Sequence, residues 1–214
     1  MNFIERIKGL LLSPDKAMAD VAKEPRIEEA VVVIAIYAIL YAVFTYVQQS
    51  NIKYNFTDAS IPDTRGITLI VSVVAALIMP FIIWVIISVV LYLFAMVFGS
   101  EGKFTHVLTA IGYSALPKIF AIVIGIILLT QAQPVTLDIS SSNPLSSMNA
   151  ASAFYKQGVV MLASLVMMIG VIWSSILGIF GIKHTEKLSL TSAAIVVGLP
   201  LAIYVLVQLA SLLL

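Results

Sequence analysis

The chain contains no cysteine and only two histidines in 214 residues. The first absence removes disulfides, thiolate nucleophiles and zinc–thiolate sites together. Charge is also scarce: 11% of residues are Asp, Glu, Lys or Arg, where a soluble domain carries about a quarter. Twelve basic and eleven acidic residues leave a net charge of +1, which gives no reason to expect nucleic acid. No Asp, Glu or His falls inside a long apolar run, so a proton relay, an intramembrane aspartyl protease or a buried metal site lacks its side chains. No G-x-S-x-G elbow or GxxxxGK phosphate loop is present. His106 and His184, the latter two residues before Glu186, match no dedicated metal spacing and read as turn residues. The expectation is a protein that is not an enzyme and takes no metal or cofactor.

What fills the chain instead is apolar: 61% of residues are hydrophobic, and the mean hydropathy is +1.08. Such a surface must face lipid, which predicts an all-α polytopic membrane protein. Five spans are expected over approximately 30–47, 67–98, 110–130, 158–182 and 192–214, within a transmembrane domain of residues 27–214. The first has 18 residues without a charge, close to the roughly 20 needed to cross a hydrocarbon core of about 30 Å. The second has 32 residues and would reach about 48 Å if straight, so it must tilt, kink or project. Pro80 at its middle either accommodates that length or serves as a hinge.

Residues 1–26 form a leader too polar for the bilayer core. Phe3, Ile4, Ile7, Leu10 and Leu11 share one helical face, with Glu5, Arg6 and Lys8 mostly off it, which suits a short amphipathic helix lying in the membrane interface. Ser13-Pro14-Asp15 reads as a second helix start, with Ser13 as cap and Pro14 at the first helical position. Its stripe would be Ala17, Met18 and Val21, and Pro25 ends it. The leader is not a secretory signal, since its apolar run is short, an acid interrupts it and no small-residue cleavage site follows.

Around the third span two readings stand. In one, Phe104, Val107, Leu108, Ile111 and Ala115 make a short interfacial helix and Pro117 opens the span. In the other, the span begins near Ala110 and Pro117 kinks it from inside. Lys118 is the only charge embedded in this segment; it snorkels if interfacial and needs a partner if deep. In the fourth span Gly170, Ser174 and Gly178 recur every fourth residue, a small-xxx-small pattern for close helix packing inside the bundle or between copies. The polar loops 48–66 and 131–157 read as exposed connections, the second with no assigned role. Arg6, Lys8, Lys16, Lys23, Arg26, Lys103, Lys183 and Lys187 flank one side and Lys53, Arg65 and Lys156 the other, which predicts a cytoplasmic N-terminus and an external C-terminus.

The leader pattern Ser13, Pro14, Met18 and Pro25, five spans, and the run Gly112-Tyr113-Ser114-x-x-Pro117 preceded by Gly102, Lys103 and Phe104 resemble the Yip1 domain family over nearly the whole chain. The resemblance implies a five-span protein with a cytoplasmic N-terminus. Eukaryotic members are Golgi and ER proteins that associate with Rab GTPases and with each other. This leader is compact, like that of bacterial and archaeal relatives, so Rab binding is not carried over and a prokaryotic cytoplasmic membrane is expected. The functional expectation is a membrane-organising or partner-binding scaffold that uses the leader and the Gly99 to Lys118 segment. Gly112, Tyr113, Ser114, Pro117 and Lys118 are its candidate binding residues, and lipid, membrane proteins or a second copy its partners. The alternative is a small-solute transporter or channel with Lys118 and the Pro80 kink lining the path.

Overall fold

A computed structural model describes residues 1–56, 63–139 and 152–213. Asp58, Pro62 and positions 140–151 of the second long loop lie outside the described residues. Eight helices and two short strands are labelled here in chain order. The leader folds as α1 (Phe3–Leu12) and α2 (Pro14–Lys23). The first span is α3 (Ile27–Ser50), followed by β1 (Ile52–Phe56). The second is α4 (Arg65–Val97), which runs on through Pro80. The third is broken into α5 (Phe104–Ser114) and α6 (Leu116–Leu129), and β2 (Val135–Ile139) follows. α7 (Gly158–Thr185) and α8 (Leu190–Leu213) complete the bundle. Among the described residues five segments are long and apolar enough to cross a membrane, α5 and α6 together counting as one.

The elements form for local reasons. Asn2 and Glu5 make a reciprocal capping box at the start of α1: the Glu5 N–H donates to Asn2 Oδ1 at 2.9 Å and the Asn2 N–H to Glu5 Oε2 at 2.9 Å. Pro14 occupies the first turn of α2, but the Ser13 side chain makes no cap bond; the helix start rests on the proline and on Asp15. Ala17, Met18 and Val21 are the buried stripe of α2.

The third span is the centre of the bundle. Over half of its most apolar window is buried, against about a fifth for the other four spans. α5 is buried from Val107 through Ser114 on every side, so it is a core helix and not one lying on a lipid surface. Pro117 does open α6, as in the first of the two sequence readings, yet only Ala115 separates the two helices, and its backbone is still helical (φ −70°, ψ −9°). α6 lies against α7 and α3, and α5 against α3, α4, α7 and α2.

Small residues set these approaches. A Cβ on Gly112 would stand 2.7 Å from Ala30 Cβ and 3.1 Å from the Trp84 ring, so α3 and α4 both close on α5 at that level. Gly170 faces Ala121 and the Pro117 carbonyl of α6. Gly178 faces Ile111 of α5 and Val197 of α8, and Ser174 is buried. This row therefore packs inside the chain.

At the far end of the bundle from the leader, β1 and β2 pair in parallel, Ile52 opposite Val135 through Phe56 opposite Ile139. Asn55 Nδ2 donates to Asp138 Oδ1 at 2.8 Å across the pair. Gln157 clamps the segment before β2, accepting from the Gln133 N–H at 2.8 Å and donating to the Gln133 carbonyl at 2.9 Å. Part of what reads as plain loop in the sequence is thus a small sheet.

Candidate functional site

Arg6 is the organising side chain of the leader end, and its accessibility is 0%. Its Nε donates to Asp20 Oδ2 at 2.8 Å, Nη1 to Glu29 Oε2 at 3.2 Å and Nη2 to the Glu24 carbonyl at 3.0 Å. The guanidinium also stands 6.0 Å from the centre of the Tyr113 ring, and the Tyr113 hydroxyl donates a short hydrogen bond to Glu29 Oε2. Glu29 therefore receives Arg6 and Tyr113 on one oxygen, and Arg26 Nη1 at 3.1 Å on the other. Phe3 tilts against the same ring at 6.3 Å. One constellation joins α1, α2, the start of α3 and the end of α5.

Electrostatics follow from this geometry. Burial by itself works against the charge of Arg6, but its bonds to Tyr113 and Asp20 outweigh that and hold its pKa above the ordinary arginine value. Burial likewise disfavours the Asp20 anion, and the Arg6 bond overcomes it, leaving the carboxyl below its usual range.

A second clasp fixes α2 to the end of α7. Asp15 Oδ1 accepts from Lys183 Nζ at 2.7 Å and lies 2.8 Å from His184 Nε2. The Lys183 bond first, and the His184 bond next, hold the Asp15 carboxyl below its ordinary range. Lys187, in a left-handed turn at φ 54°, lies 3.5 Å from Glu101 and ties the 183–189 turn to the 99–103 turn. Glu186 does not join His184. Its carboxylate is 1% accessible and is turned towards Ser100, Gly102 and His106 without a hydrogen bond of good geometry, and burial raises its pKa. A Cβ on Gly102 would collide with Glu186 and the Thr185 carbonyl, which explains a glycine there. No group of three His, Asp or Glu able to hold a metal occurs among the described residues.

The run from Gly112 to Pro117 now has a physical account. Gly112 admits Ala30 and Trp84, and the Trp84 Nε1–H donates to the Leu108 carbonyl at 2.8 Å. Tyr113 carries the hydroxyl to Glu29. Ser114 Oγ donates to the Ile111 carbonyl at 2.7 Å, closing α5, and Pro117, which has no N–H, sits where α6 begins. Lys118 does not belong to the constellation: it is half-buried, with Nζ 6.0 Å from the centre of the Tyr37 ring. Pro80 is buried on α4 one turn from Trp84, and Gly170, Ser174 and Gly178 lie on the opposite flank of α5 and α6.

Sequence reasoning places Arg6 mostly off the apolar face of α1 and assigns no role to Glu29. The structure corrects the face: Phe3, Arg6, Ile7 and Leu10 turn inward, and Ile4 and Leu11 turn outward. The available signal was an arginine four residues before Leu10 in a leader that also holds Asp20 and Glu24, but its decisive partner is Tyr113.

An uncharacterized protein of Methanocaldococcus jannaschii is 30% identical over 127 residues, which cover 59% of this chain and 86% of that protein. No solved structure matches the chain. The Yip1 domain model matches residues 8–212, a stretch that takes in most of the leader, the Gly112 to Pro117 run and all five spans, and the chain belongs to the Yip1 domain family.

Proposed function

We propose that the protein is a non-enzymatic scaffold of the cytoplasmic membrane of a prokaryote, which presents the leader and the 99–103 turn to partners on the cytoplasmic side, the buried part of the Gly99 to Lys118 segment holding them in place. Eight of the twelve basic residues flank the leader end, which supports a cytoplasmic N-terminus and, after five crossings, an external C-terminus. The observation that carries the reading is the Arg6–Glu29–Tyr113 constellation. It turns the leader and the third span into one body, so a surface is held in fixed geometry outside the core. Gly112, Tyr113, Ser114 and Pro117 act as positioning residues for that surface. Partners are other membrane proteins or a second copy.

The test is crosslinking in intact membranes, with mass spectrometry of products formed at the leader. Wild type is expected to give a reproducible set of membrane-protein products that disappears in the double variant Tyr113→Ala, Pro117→Ala. Unchanged products in that variant overturn the reading. A second reading, a small-solute transporter, draws on Lys118, an embedded cation that lies over the Tyr37 ring. Flux in proteoliposomes that vanishes with Lys118→Met would favour it over the scaffold.

A further inference from the structure

We infer that the outward face of α1 is a lipid-docking surface, seated in the headgroup region of an anionic leaflet while its inward face is latched to the bundle. This deepens the scaffold reading by naming what the leader touches, and it rests on the leader being docked.

Two independent observations lead there. The first is the face itself. Ile4 and Leu12 are 64% and 83% exposed, and Leu11 is exposed between them and the bundle. With Lys8 they fall at i, i+4, i+7 and i+8, a continuous helical stripe with a cation in its middle. Of the leader's acids, Asp15, Asp20 and Glu24 are taken up by Lys183, Arg6 and Arg26 and Glu5 caps the start of α1, so three exposed cations that join no ion pair among the described residues, Lys8, Lys16 and Lys23, stand against the exposed Glu5 alone. The charge left over at this surface is positive, which complements anionic headgroups.

The second observation is depth. Ala30 and Trp84 both abut Gly112, so the first turn of α3 lies level with Trp84. α4 continues from Trp84 to Val97, thirteen residues or about 20 Å at 1.5 Å per residue. One side of that extension packs on α5, where Tyr92 meets Phe104 ring to ring at 5.7 Å. Its other side exposes Ile86, Val90, Leu93 and Val97, again at helical spacing and with Val97 80% exposed. The apolar belt of the molecule therefore runs alongside the start of α3, where Arg6 holds α1 against Glu29, and continues beyond it. Ile4, Leu11 and Leu12 thus stand beside that belt where the first span begins, in the zone where interfacial helices bury their apolar face about 5–10 Å into the headgroup and acyl boundary. A partner protein needs no such belt, and a solvent-facing leader has no use for three bare aliphatic side chains around one lysine.

The experiment uses the full-length protein, which is free of cysteine. Leu12→Cys carries an environment-sensitive fluorophore, in nanodiscs of phosphatidylcholine alone or mixed with phosphatidylglycerol, with spin-labelled lipids as quenchers. The expected result is blue-shifted emission quenched by a spin label near the acyl carbonyl, stronger with phosphatidylglycerol and weakened by Lys8→Glu. Water-like emission without lipid quenching in both lipids overturns the inference. Emission that is blue-shifted but depends on protein density and not on lipid quenching overturns it in favour of a second copy. Leader docking is read separately, by carbodiimide coupling of Asp15 to Lys183. A coupled leader with a water-exposed label removes only the lipid contact, whereas failure to couple removes the docked leader on which the scaffold reading stands.

Discussion

The two ends of the bundle are closed by different chemistry. At the leader end, charged side chains from α1, α2 and α3 and the Tyr113 hydroxyl from α5 converge on Arg6 and Glu29, and a second ion pair ties Asp15 to α7. At the other end the closure is a five-residue parallel strand pair and amide side chains bonded to backbone. Ion pairs of side chains demand particular residues and respond to protons; a backbone ladder tolerates most side chains and does not titrate. The leader end should therefore be brittle to single substitutions and acid, and the strand end forgiving.

The largest expected effect is at Arg6. Arg6→Ala leaves the carboxylates of Asp20 and Glu29 without their buried partner, a loss on the order of 3–5 kcal/mol. A thermal-unfolding midpoint in detergent close to wild type would break the comparison. Tyr113→Phe removes a hydroxyl that donates to a charged group and should cost about 1.5–3 kcal/mol, with the ring packing against Phe3 retained. Gly112→Ala forces a Cβ to within 2.7 Å of Ala30 Cβ, an overpacking cost of about 1–3 kcal/mol. Adding Ala30→Gly should recover part of it, which separates steric contact from backbone propensity.

Acid should act chiefly on the leader end, because the strand end's ion pair, Asp63 with Arg65, is exposed and joins residues two apart. The folded-state pKa values of Asp15 and Asp20 lie below their unfolded values, so the stability they lend is present above the ordinary carboxylate range and is lost as pH falls through that range towards their own pKa values. Spin labels at Lys16→Cys and Lys187→Cys should report a distance that broadens on such acidification, while a pair placed across β1 and β2 keeps its distance. The smallest effect is expected at the strand end itself: Gln157→Ala gives up two exposed bonds to Gln133 for about 1 kcal/mol or less.

Most of the bundle was legible from composition and run length, because lipid accepts little else than apolar helices. Pro14 at the α2 start, the Ala17, Met18 and Val21 stripe and the break at Pro117 were likewise readable from local rules. The strands were missed: Ile52 to Phe56 and Val135 to Ile139 each alternate apolar and polar residues, but neighbouring polarity masks a period-two signal only five residues long. The Arg6 constellation was not legible. Periodicity assigns an arginine to the polar face, and the residue that overrules it, Tyr113, lies in another span. The burial of α5 on all sides was hidden for the same reason: amphipathic spacing describes one face, and the leader that covers the other comes from the start of the chain.

The clasp between Asp15 and Lys183 joins residues 168 positions apart. At roughly 5–20 residues per second, a ribosome takes about ten to thirty seconds to travel between them. During that interval the leader has already been made and waits for its last anchor, so its locking into place is a timestamp: it marks the moment when the fourth crossing is complete and only the fifth is still to come.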